Sequence, residues 1–104
     1  MTNRAYYDDS ITDFLPRSSD EILGALVRSS AFAVEETQRT AWLEQIALLK
    51  DSLSTYGGRG KVYFEYAVPR LGKRIDVVVL LDHVIFIFEF KVGEKEFLSS
   101  ARDQ

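Results

Sequence analysis

Residues 74–92, RIDVVVLLDHVIFIFEFKV, constrain this chain more than any other stretch. Two strongly apolar runs, 75–81 and 84–92, meet at Asp82-His83. Their near-continuous hydrophobicity predicts strands covered on both faces. A turn near Asp82 makes them an antiparallel hairpin, and Asp76 and Glu89, six and seven residues from that turn, then fall close to opposite each other. Residues two apart on a strand share a face, so Glu89 and Lys91 project together. Charges on so apolar a segment are costly unless something pairs with them. The expectation is two carboxylates and one ammonium at one end of a hydrophobic sheet.

The segments before this hairpin supply the rest of a small α+β fold. Residues 62–68, VYFEYAV, are rich in β-formers, with Glu65 their only charge and Pro69 as the stop. They predict a third strand, joined to the hairpin by the basic turn Arg70-Leu71-Gly72-Lys73-Arg74. Upstream, Trp42, Ile46, Leu49 and Leu53 recur at steps of four, three and four, the core stripe of an amphipathic helix over 35–54. Carried backwards, the stripe reaches Gln38 and Glu35, which puts both on the face turned toward the protein, with Glu36 and Glu44 solvated. An earlier helix opens at Ser18-Ser19-Asp20-Glu21, where a hydroxyl or carboxylate caps free amides and acids suit the positive end. It carries Ile22, Leu23, Leu26 and Val27 inward and ends near Ser29-Ser30. Residues 1–18 read as an arm or a short helical turn. From Glu94 to Gln104 the pattern turns helical again through Phe97, Leu98 and Ala101. The expected order is two helices, a three-stranded antiparallel meander and the start of a further helix.

At 104 residues the chain holds one domain, 1–104, which buries about 60–70% of its extended surface. One helix layer covers one face of such a sheet, so the other face awaits a protein partner, a second copy completing the sheet, or more chain; the domain reads as incomplete at its C-terminus. The absence of cysteine excludes a disulfide scaffold and thiolate metal sites, and a single histidine excludes a histidine-built zinc site. No apolar run reaches the roughly 20 residues of a membrane span, and the N-terminus lacks a signal-peptide layout, so the expected location is cytoplasmic, with no membrane partner. With a net charge of −3, nucleic-acid binding has to use a local patch, for which Arg70, Lys73 and Arg74 are placed.

Asp76, twelve residues, then Glu89-x-Lys91, preceded by a helix with an inward Glu35, resembles the signature of the PD-(D/E)XK nuclease superfamily. In more detail, ETQRTAWLEQIALLK, AVPRLGKRIDVVVLL and VIFIFEFKVGE resemble the nuclease-like N-terminal region of bacterial DNA/RNA helicases of the Schlafen group-3-like (DUF2075) family. The resemblance covers nearly the whole chain, although no G-x-x-x-x-G-K-[ST] loop of the helicase module is present. It implies a restriction-endonuclease-like core and Mg²⁺-dependent cleavage of DNA or RNA, with Mn²⁺ able to substitute. Asp76, Glu89 and the carbonyl of Phe90 would be metal ligands, Glu35 the helical acid, and Lys91 the group that orients the attacking water. Gln104 falls where many members place a glutamine, and Arg70, Lys73 and Arg74 would meet backbone phosphates. Phosphodiester hydrolysis gives this set a reason, since Mg²⁺ lowers the pKa of bound water and clamps phosphate oxygens. The rival readings are a structural ion pair at a sheet end, Glu35 as a helix-dipole partner, and a non-catalytic module with the same fold that binds nucleic acid or protein.

Overall fold

Two serines open the first two helices by the same device. In the computed structural model, which describes residues 4–31, 33–56, 59–90 and 97–102, Ser10 Oγ accepts the Asp13 N–H and Ser18 Oγ accepts the Glu21 N–H, each at 3.1 Å. Each bond satisfies an amide that the helix leaves without a partner. Helix α1 (Ile11–Phe14) is a single turn, and α2 (Ser19–Ser29) carries Ile22 and Leu26 into the core, as expected from its sequence. Helix α3 (Glu36–Leu53) starts after Glu35 and buries Trp42, Ile46, Leu49 and Leu53, the stripe read from the sequence, together with Gln45. Glu36 and Glu44 are exposed.

Among the described residues the sheet has five antiparallel strands in chain order: β1 (Tyr7–Ser10), β2 (Gly60–Val68), β3 (Lys73–Leu81), β4 (Val84–Phe90) and β5 (Phe97–Arg102). The expected meander is its centre, β2 to β4. Leu81 pairs with Val84, so Asp82 and exposed His83 form a two-residue turn, and Asp82 takes the left-handed φ of 54° that such turns require. Gly60 has to be glycine, because a Cβ there would sit 2.0 Å from the carbonyl oxygen of Leu80 on β3.

Two expectations are corrected. Part of the N-terminal arm, Tyr7–Ser10, is a strand beside β2 rather than loose chain or helix. Residues 97–102, expected to be helical, form β5 and pair along β4 from Phe90 opposite Phe97 to Ile85 opposite Arg102. A helix of about ten residues is marginal by itself, and the ladder along β4 gives the β4-facing half of β5's backbone groups partners of the kind a short helix leaves unmet at its ends.

All three helices lie on one face of the sheet. Ile11, Phe14, Ile22, Leu26, Trp42 and Ile46 pack there with Val62, Phe64, Val77 and Val79 in one buried cluster. The opposite face carries Tyr63, Val78, Leu80, Ile85 and Ile87 around an open apolar groove of about 500 Å³. Ile85 is 48% exposed there. Among the described residues no helix is long and apolar enough to cross a membrane.

Candidate functional site

The strand registers bring three carboxylates into one row. Val77 on β3 pairs with Phe88 on β4, which sets Asp76 opposite Glu89, one step past the last paired positions. On the other side of β3, Phe64 pairs with Val77 and Tyr66 with Ile75, which brackets Glu65 of β2 opposite Asp76. Directly opposed residues of an antiparallel pair are neighbours. Glu65, Asp76 and Glu89 therefore cross three adjacent strands at one height, near the basic β2–β3 turn, with Glu89 alternating with Phe88 and Phe90 and so on the face of Ile85 and Ile87.

Glu65 is held in an uncommon way. Its φ is 58°, and a non-glycine residue with positive φ inside a strand is rare. Tyr63 and Tyr66, three residues apart, would lie on opposite faces of a regular strand, yet their rings meet edge to face at 5.5 Å. Alternation is thus reversed at Glu65, and its carboxylate reaches the helix side, where Oε2 accepts the Trp42 Nε1–H at 3.1 Å. The backbone is held as well: Arg74 Nη1 donates to the Glu65 carbonyl oxygen at 2.7 Å, while its guanidinium lies over the Tyr6 ring at 4.3 Å.

Asp76 is fixed by one bond, its Oδ2 accepting the Phe90 N–H at 2.7 Å. That side-chain bond takes the place of a ladder bond where the β3–β4 pairing ends. All three carboxyls are pushed above their ordinary acidity. Burial is the main cause for each. The Trp42 bond works against the shift at Glu65, which the charges of Asp76 and Glu89 reinforce. The Phe90 N–H opposes it at Asp76. At Glu89, Asp76 adds to the shift and Lys73 opposes it. Repulsion from Asp76, which acts at both Glu65 and Glu89, agrees with the row that the registers give.

The sequence-derived residues divide accordingly. Asp76, Glu89 and Phe90 come together, and Lys73 is close enough to act on Glu89 electrostatically. Arg70 is exposed at the turn, and Arg74 spends its guanidinium on the Glu65 carbonyl and the Tyr6 ring. Glu35, expected on the inward face of the helix, is instead the exposed N-cap of α3, in extended conformation ahead of the first helical turn and so off the helical stripe; it makes no capping bond and lines a cavity that Glu65 also lines. Lys91 and Gln104 lie outside the described residues. Glu65 is the member that sequence reasoning missed. Pairing 62–68 against 75–81 across the basic turn would have revealed it, since that register places the only charge of the first strand opposite Asp76.

Among the described residues no three acidic or imidazole side chains converge as an ion cage. The donor set at the end of β3 and β4 is smaller: the carboxylates of Asp76 and Glu89 and the main chain at Phe90. Magnesium is bound in this way in phosphoryl-transfer sites, through one or two carboxylates with water and phosphate completing the octahedron. Two carboxylates are the number that such a site asks of the protein. No protein-family model matches this chain, and no curated protein or solved structure does either.

Proposed function

We propose that this chain is a divalent-cation-dependent nuclease domain of the PD-(D/E)XK type, cleaving phosphodiester bonds of nucleic acid. The observation that supports it best is the register that sets Asp76 opposite Glu89 at the end of β3 and β4, beside the basic turn. Asp76 and Glu89, with the carbonyl of Phe90, would hold Mg²⁺, which when bound supplies a water acidic enough to attack near neutral pH and neutralises charge on the phosphate. The chain's own groups do the positioning. The Phe90 N–H orients the Asp76 carboxylate. Lys73, whose charge already reaches Glu89, faces the approach of a phosphate oxygen and fixes its register without reading sequence. Lys91 is assigned from the Glu89-x-Lys91 spacing alone as the ammonium that orients the attacking water. Glu35, on the wall of the cavity that Glu65 shares, is the helical acid of this scheme.

The test is incubation of the purified chain with labelled single- and double-stranded DNA and RNA in Mn²⁺, Mg²⁺ or Ca²⁺. Mn²⁺ and Mg²⁺ are expected to support cleavage and Ca²⁺ binding only, and Lys91→Ala to abolish cleavage with its circular dichroism unchanged. Substrates left intact in Mn²⁺ over long incubation refute the assignment.

A further inference from the structure

Beside the carboxylate row lies a cavity of about 370 Å³, bounded by the start of α3 and the kink of β2. Its size is at the lower end for ligand pockets, suited to one small ring system. The lining residues include Glu35, Glu65, Gln38, Tyr6 and Trp42. Among the described residues its lining holds two acids and no lysine or arginine, the Arg74 guanidinium being taken up by the Tyr6 ring and the Glu65 carbonyl. It favours a neutral group rich in N–H donors.

We propose that this cavity is a subsite for a nucleobase bearing an exocyclic amine, adenine or cytosine, of a single strand whose phosphate lies at the Asp76–Glu89 row. The inference rests on the nuclease reading for the position of the phosphate. An exocyclic amine has two hydrogens, one for the Gln38 side-chain oxygen and one for a Glu65 carboxylate oxygen. Trp42 Nε1 engages Oε2 of Glu65, which leaves Oε1 for the base. Thymine and uracil present carbonyl oxygens where the amine would be, and a carbonyl facing a carboxylate is an acceptor facing an acceptor. Glu65 is suited to such reading because it is pre-set at both ends, its carboxylate by Trp42 and its carbonyl by Arg74. Glu65 also stands opposite Asp76, so the cavity adjoins the row through Glu65.

The experiment measures fluorescence anisotropy of short labelled dA, dC and dT strands in EDTA, where no cleavage occurs. Loss of a well-made base contact is expected to weaken binding roughly 5- to 150-fold, with dT below dA and dC. A strand of unsubstituted purine, which differs from dA only by the missing amine, is expected to fall to the dT level. Gln38→Ala is expected to remove most of the difference between dA and dT. Equal binding of the three strands, or a dA affinity indifferent to loss of the amine, overturns the inference. Cleavage in Mn²⁺ is scored separately: discrimination without cutting sinks the nuclease reading alone, and cutting without discrimination sinks this inference alone.

Discussion

Replacing Asp76 by asparagine removes the middle charge of the row and keeps its shape. Asp76 lies between Glu65 and Glu89 on neighbouring strands. Two like charges about 5–8 Å apart repel by about 2–3 kcal/mol at an effective dielectric near 20 and by under about 1 kcal/mol in water. Glu65 is the half-buried neighbour and Glu89 the exposed one. After solvent screening, relief of both repulsions comes to about 2 kcal/mol. Against this, the Phe90 N–H exchanges a charged acceptor for a neutral one, a loss of about 1 kcal/mol. The net is a gain of about 1 kcal/mol at pH 7, or about 4–8 °C in Tm for a domain of this size. The pH dependence has a definite sign. All three carboxyls are raised in the folded chain. The folded state therefore holds more protons than the unfolded one as pH climbs from about 4, and wild-type stability falls through that window and stays lower above it. The advantage of Asp76→Asn is thus present at pH 7 and vanishes below about pH 4, where the wild-type carboxyls are protonated too. Thermal and urea melts followed by circular dichroism at both pH values measure it. A variant no more stable than wild type at pH 7, or one whose advantage persists undiminished in acid, refutes the reasoning. Asp76→Ala, which removes the side-chain oxygen that accepts the Phe90 N–H, is expected to fall below Asp76→Asn at both.

Two further perturbations probe the scaffold. Lys50 Nζ donates to the carbonyl oxygens of Phe14 and Leu15 at 2.9 and 2.8 Å and to that of Arg17, closing the end of α1. Lys50→Met is expected to cost about 1–3 kcal/mol in urea unfolding by leaving those carbonyls unmet, and an unchanged midpoint would show that water replaces the ammonium without loss. On the open sheet face, Ile85 is 48% exposed in an apolar groove. Ile85→Lys is expected to reduce self-association at high concentration in light scattering while changing stability by no more than about 0.5 kcal/mol, and greater association would contradict that view of the face.

What could be read in advance was what local chemistry determines. Ser18 and the Trp42–Leu53 stripe mark the two longer helices because caps and a 3.6-residue period are properties of neighbouring residues. That Asp76 and Glu89 fall at the same height was legible for a related reason, since a two-residue turn at Asp82-His83 fixes the register of everything that follows it. β1 and β5 were not legible, because Tyr7–Ser10 and Phe97–Arg102 become strands only through distant partners on β2 and β4. Glu65 was hidden twice over. Its place in the row depends on the β2–β3 register, and its carboxylate reaches Trp42 only because a residue with no preference for positive φ is held there at 58°. Arg74, which on charge alone reads as a phosphate contact, is engaged in holding that kink. Such a backbone conformation costs on the order of 1–3 kcal/mol and persists where the surroundings over-determine it. Here they do so through the indole on one side and the guanidinium on the other. The sequence records the three residues separately, at 42, 65 and 74, and only the packing of α3 on β2 and the turn back into β3 joins them into one device.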